Sequence, residues 1–312
     1  MKYTSTARTV NLTVFTFLFL AFGCLAFYFC FWVDPGYFVS GIWEQSMIFN
    51  GDYPYNWAMQ FGMIGMAVML LSAVGIYYSI KAMNAQSKDE DVVKCFYVYG
   101  AIGNALALFF LLNSVFFYAL IPHGTSQTFF IILFVILFIA ALLGSNIPMS
   151  KLLDDDDGLK MQEIFSGALG SLLLGYLLAT LPTLFVTLAG SGNYWGYICR
   201  LAIYDVLALF AFLCCLFSAL VAHKGKKSKL PAVLFGGSWT LIGVIIMVEG
   251  TIEWLWHNAS STYSLNGAKG AYAGLDYVVM GCVVGSILVV LGLAYACAAF
   301  LPEKKKTTSH RA

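Results

Sequence analysis

The sequence predicts an all-α protein, a polytopic transmembrane helical bundle of about eight spans with both termini on the cytoplasmic side. Three observations carry this. Of its 312 residues 60% are hydrophobic and only 11% charged, where a soluble domain carries about a quarter charged residues. Eight stretches reach the roughly 20 apolar residues that a helix needs to cross about 30 Å of hydrocarbon. The basic residues also fall almost entirely on one side of the resulting map.

The spans are placed at 9–33, 57–82, 93–121, 127–148, 161–189, 196–222, 231–256 and 274–301. Lipid cannot hydrogen-bond a bare backbone, so helices are the expected solution for segments of this length. The connections are short, polar or rich in Gly and Pro, such as Ile121-Pro122-His123-Gly124-Thr125 and Lys224-Gly225-Lys226-Lys227-Ser228-Lys229. The whole chain, 1–312, therefore reads as a single membrane domain with a cytoplasmic tail over 302–312. Lys2 and Arg8 precede the first apolar run as in a signal peptide, but that run is long and ends in the bulky Phe29-Cys30-Phe31-Trp32-Val33. It is expected to remain as an uncleaved first span.

Sidedness follows from the preference of Lys and Arg for cytoplasmic loops. With the N-terminus inside, 15 of the 17 basic residues lie inside and only Arg200 and Lys269 outside. A span miscounted in the middle would destroy this asymmetry. The net charge of +1 offers no basic surface for phosphates, so nucleic acid is not an expected partner. The lipid bilayer is, although the sequence leaves open which membrane.

The eight cysteines show no C-x-x-C spacing of a zinc or redox site, and most lie within apolar stretches, as small packing residues do. Asn258-Ala259-Ser260 matches a glycosylation sequon and falls in the last outer loop; Asp154-Asp155-Asp156-Asp157 reads as a solvated inner connector. A duplication into two halves of four spans would pair the long outer loop 34–56 with a long loop between spans five and six, and that loop is short. The duplicated transporter architectures lose support accordingly.

Small residues recur at every fourth position, as Gly167, Ser171 and Gly175 in span five and as Gly281 and Gly285 in span eight, continued by Gly292. Such stripes let helix backbones approach closely, within the chain or against other subunits or a second copy. Pro182 should kink span five, with Thr180 or Thr183 able to cover the freed carbonyl. The outer loop 34–56 is aromatic, which favours the headgroup layer. A short interfacial helix over 42–49 is expected there, with Pro35, Gly36 and Pro54 turning the chain at its ends.

Ionisable residues inside spans cost at least about 2.5 kcal/mol near the bilayer centre and are therefore usually paired or water-facing. Span six carries Arg200 and Asp205, and span seven carries Glu249 and Glu253. At 1.5 Å per residue, Glu249 lies about 27 Å outward from Pro231, and Asp205 about 7 Å below Arg200. All four then share one outer layer, joined by His257 and by Asp276 at the start of span eight. Glu249, Glu253 and His257, spaced i, i+4, i+8, form one stripe. Arg200 and Asp205 stand about 140° apart on their helix, so a bridge from Arg200 to Glu249 or Glu253 is the expected ion pair.

Two uses of this layer compete. It can be an interhelical bridge with spare carboxylates reaching water, or an outward-facing acidic vestibule that attracts a cation or exchanges a proton. Seven outer or embedded acids against two basic residues would concentrate cations there. A metal on Glu249, Glu253 and His257 lacks a second histidine. No histidine is central in a span for haem, and no lysine lies within spans seven and eight for a retinal Schiff base. Cofactors are thus left unassigned, and no hydrolase, metalloprotease or phosphate-loop motif is present to mark an enzyme.

The expected function is a transporter or channel-like protein for a cation, or for a proton-coupled or other small solute, with Glu249, Glu253, Asp205, Arg200, Asp276 and His257 at an outer site. The rival is a non-transporting accessory or assembly subunit of a larger membrane complex. A lipid-handling enzyme or receptor comes third.

Overall fold

The computed structural model describes the backbone of residues 5–29, 53–84, 89–120, 125–152, 158–189, 195–224, 229–259 and 273–300, and side chains over a smaller set within them. The described residues form eight helices: α1 (Ser5–Phe27), α2 (Tyr53–Met83), α3 (Glu90–Leu120), α4 (Thr125–Leu152), α5 (Gly158–Ala189), α6 (Trp195–His223), α7 (Leu230–Ala259) and α8 (Ala273–Ala298). Seven are long and apolar enough to cross a membrane, and α8 adds an apolar stretch over Cys282–Ala298. The protein is an integral, multi-pass membrane protein. The interfacial helix expected over 42–49 and the Asp154–Asp157 run lie outside the described residues.

Local chemistry sets the helix ends. Pro54 and Pro231 each occupy the second position of a helix, where a missing N–H costs nothing because first-turn donors have no intrahelical partner. Pro54 thus begins α2 rather than closing the preceding loop. Glu90 and Asp91 lie in the first turn of α3 and Lys81 in the last turn of α2, each on the favourable end of the helix dipole. The fourth span, expected over 127–148, agrees with the apolar window Thr128–Met149, and the helix α4 itself runs on through Pro148 to Leu152. The turn beyond the proline places Met149, only 2% exposed, against Gly100 of α3.

The arrangement has a centre and a rim. About half or more of the apolar window is buried in α5 (61%), α3 (56%) and α2 (50%), against 17% in α1 and 6% in α4. The core lies where α2, α3 and α5 meet, around Ile64, Val68, Ala101, Ala105, Ala168 and Leu172, with Phe15 of α1 and Met149 of α4 inserted from the sides. A smaller cluster, Leu169, Cys215 and Phe235, joins α5, α6 and α7. On the rim, Phe129, Ile132, Ile136, Ile139 and Leu143 of α4 are exposed, as suits side chains facing lipid.

Small residues set the spacing. A Cβ on Gly175 of α5 would meet the Met63 carbonyl oxygen of α2, and one on Gly285 of α8 would meet Met247 and the Gly243 carbonyl of α7. Gly292 meets Gly236 and Thr240 in the same way. Ser171 is buried and donates to the Ala168 carbonyl at 2.8 Å. The stripes therefore serve packing within the chain. Gly281 falls among residues whose side-chain surroundings lie outside the described set.

Polar contacts show that the helices alternate in direction. Near the start of α1, Arg8 donates to the Ala82 carbonyl at the end of α2 (2.9 Å) and to Asp89 before α3 (3.3 Å). Lys81 of α2 and Lys94 of α3 both lie 3.6 Å from the Asp91 carboxylate. His223 at the end of α6 pairs with Glu163 near the start of α5 at 2.8 Å. Lys229, just before α7, sits over the Phe300 ring just after α8, 5.0 Å from its centroid. The start of α1 and the end of α8 accordingly belong to one end of an up-and-down bundle.

Candidate functional site

The inward stripe of α6 contains Tyr204, Asp205, Ala208, Ala211, Cys215, Ser218 and Ala222, all buried at helical spacing. Ile203 and Val206, on either side of the Tyr204–Asp205 pair, are exposed at 58% and 64%. Asp205 is thus the acidic member of an otherwise core-facing stripe. It lies about 27 Å along α6 from His223, in the layer opposite the His223–Glu163 pair.

The Asp205 side chain meets Thr180 of α5, whose hydroxyl donates to Oδ1 at 2.9 Å. Its second oxygen, Oδ2, is buried without a hydrogen-bond partner among the described residues. A buried carboxylate in this position is costly unless paired or protonated. Thr180 Oγ1 also lies 3.1 Å from the carbonyls of Tyr176 and Leu177. The carbonyl that loses its usual N–H donor to Pro182 is that of Leu178. Thr180 serves Asp205 and its own preceding turn instead, and the side chain of Thr183, the other expected cover, lies outside the described residues.

The remaining residues of the expected outer layer are placed by backbone only. Arg200 is in α6, and Glu249, Glu253 and His257 lie toward the end of α7, which packs against α6. Asp276 is in the first turn of α8. Helix direction puts all of them at the Asp205 end of the bundle, but their side chains, and with them the Arg200–Glu249 and Arg200–Glu253 bridges, lie outside the described residues. Asn258 belongs to the last turn of α7 rather than to a loop, and its side chain is likewise outside the described set.

No protein-family model, curated protein or solved structure matches this chain. Function must therefore be read from its own side chains.

Polar groups that the charge-based reading passed over form two further layers. At the end opposite Asp205, Ser218 of α6 accepts from Gln162 Nε2 of α5 at 3.1 Å and donates to the Pro231 carbonyl of α7 at 2.9 Å. Ser166 Oγ lies 2.9 Å from the same hydroxyl. Three helices are thereby tied at one oxygen. Between α3 and α4, Asn104 and Asn146 bond to each other through their side-chain amides. Scanning apolar stretches for amides as well as charges would have found Asn104, Asn146 and Gln162.

Chemically, the described layers differ in kind. The Gln162–Ser218 and Asn104–Asn146 groups have partners and act as helix fasteners. Among the described carboxylates, Asp205 alone combines burial with an oxygen that has no hydrogen-bond partner among the described residues. The six described cysteines are free thiols, with Cys95 and Cys215 buried and Cys24 and Cys297 exposed. Among the described residues no group of three metal-ligating side chains converges.

Proposed function

We propose that the protein is a carrier or channel-like protein for a small cation, or for a proton-coupled solute, entered from the end of the bundle where Asp205 lies. The observation that carries this reading is the buried Asp205 carboxylate, held by Thr180 through Oδ1, with Oδ2 lacking a partner among the described residues. An ionisable side chain kept within a span despite its desolvation cost is, by default, a sign of an ion or solute path. The helix ends that bring Glu249, Glu253 and Asp276 to the same end add acidic character and would raise the local cation concentration. Sidedness is taken from the basic residues: the end bearing Arg8, Lys81, Lys94 and Lys229 is cytoplasmic, and the Asp205 end faces out.

Subunit contacts through the glycine stripes, the main alternative, are less favoured because Gly175 and Gly285 already face neighbours within the chain. Purified protein in liposomes tests the proposal. Cation or proton-coupled flux is expected, with Asp205→Asn reducing it about tenfold or more, equivalent to losing about 1.4 kcal/mol of interaction. Glu249→Gln with Glu253→Gln should weaken it further. An absence of flux, together with stoichiometric partners copurifying from native membrane, would shift the assignment to an accessory subunit.

A further inference from the structure

We propose that Asp205 is a proton-binding site whose occupancy is read by the Thr180 hydroxyl, so that one proton on α6 switches a hydrogen bond in α5. This deepens the proposed cation-handling role and rests on it for its physiological meaning. The geometry gives the Thr180 hydroxyl a partner in both protonation states of Asp205, while Oδ2 has none among the described residues. With Asp205 ionised, the single Thr180 proton is donated to Oδ1 at 2.9 Å. With a proton added to the carboxylate, the new O–H is the donor and Thr180 Oγ1 the acceptor. The Thr180 proton then rotates to the carbonyl of Tyr176 or Leu177, each 3.1 Å away. One proton enters and none is displaced, since the hydroxyl keeps its own.

The surroundings favour a proton as the ligand. Calcium takes about six to eight oxygens, whereas a proton needs the carboxylate and one acceptor, which Asp205 and Thr180 provide. Asp205 is 9% exposed, and Oδ2 has no partner among the described residues. From α5 the facing polar group is Thr180, and no described charged residue of α5, α6 or α7 forms an ion pair with Asp205. Arg200 of α6 and Glu249 and Glu253 of α7 belong to the same layer by helix position. Thr180 also lies in the turn where Pro182 offers Leu178 no N–H, so the rotating hydroxyl acts on a turn already short of one backbone bond.

Isotope-edited infrared difference spectroscopy of the full-length protein in lipid, titrated between about pH 4 and 9, tests this. A carboxylic-acid carbonyl band should grow as pH falls and be missing in Asp205→Asn. Thr180→Val, nearly the same shape without the hydroxyl, should move the band to higher wavenumber because the acid loses its acceptor. Thr180→Ser should restore the wild-type position. If Thr180→Val does not fold, Thr180→Ala should give the same displacement. No Asp205-dependent band in this range, or a band left in place by loss of the hydroxyl, overturns the proposal. A band that behaves as expected in a protein showing no flux removes the transport reading and leaves the proton site standing. Flux that persists in Asp205→Asn without any such band removes the site and leaves transport.

Discussion

Asn104 of α3 and Asn146 of α4 exchange hydrogen bonds across the helix interface, with Asn146 Nδ2 3.0 Å from Asn104 Oδ1 and the reverse contact at 3.3 Å. Each amide nitrogen also donates to its own helix, to the carbonyl of Gly100 or Leu142, at 2.8 Å. Both protons of each amide thus have an acceptor, one within the helix and one across the interface. Close approach makes this possible: a Cβ on the neighbouring Gly103 would collide with Ser145.

The pair should behave as a coupled unit. Asn104→Ala and Asn146→Ala are each expected to destabilise the protein, and the double variant should lose less than the sum. The coupling should be about 0.6 kcal/mol, the average for interhelical hydrogen bonds in membranes, and no more than about 1.7 kcal/mol. Reversible unfolding in bicelles measures it, and strictly additive losses would show that the two amides act independently.

Adjacent glycines in α7 should respond in opposite ways. A Cβ on Gly236 would meet the Gly292 carbonyl and Ala296 of α8, while one on Gly237 meets nothing within 4 Å. Gly237→Ala should be neutral or stabilising by up to about 1 kcal/mol, since alanine is the better helix former. Gly236→Ala should destabilise by about 1 to 3 kcal/mol through overpacking against backbone. Similar melting temperatures for the two variants would mean that α7 and α8 lie farther apart than described.

These contacts mark the boundary of what was legible in the chain. The spans were legible because hydrocarbon imposes length and composition on any crossing helix, and α5 and α6 match their expected ranges within a few residues. Asp205 was legible as a charge in an apolar run. Its partner was not: Thr180 is 25 residues away, and only the packing of α5 on α6 selects it from many hydroxyls. Gln162, Asn104 and Asn146 were passed over because amides carry no charge, although burying them unpaired is also costly. Where small residues such as Gly285 would dock was equally open, since periodicity reveals a smooth face but not which helix covers it.

The end of the bundle opposite Asp205 separates a buried polar hub from a more exposed His223–Glu163 contact. Ser218 uses its one proton on Pro231 and accepts from Gln162 and Ser166. Ser218→Ala should therefore cost about 1 to 3 kcal/mol by leaving buried donors without an acceptor. The Glu163 and His223 side chains are 27% and 45% exposed, so Glu163→Gln should change stability by about 1 kcal/mol or less. A larger loss from Glu163→Gln than from Ser218→Ala would reverse that ranking.

Sidedness yields a prediction that uses a single residue. Contacts of Arg8 with Ala82 and of Lys229 with Phe300 put both ends of the helical region at one end of the bundle. On the proposed sidedness, drawn from the distribution of basic residues, that end is the cytoplasmic one, and Lys269 is then the one lysine outside. A membrane-impermeant amine reagent applied to sealed, correctly oriented cells should label the protein, and Lys269→Arg should abolish the labelling. Epitope tags at the two termini should both become accessible only after permeabilisation. Labelling that survives Lys269→Arg, with tags exposed on intact cells, would invert the bundle and place Asp205 toward the cytoplasm. Because the helix packing is unchanged by inversion, the proton site would remain intact while the proposed direction of entry would be reversed.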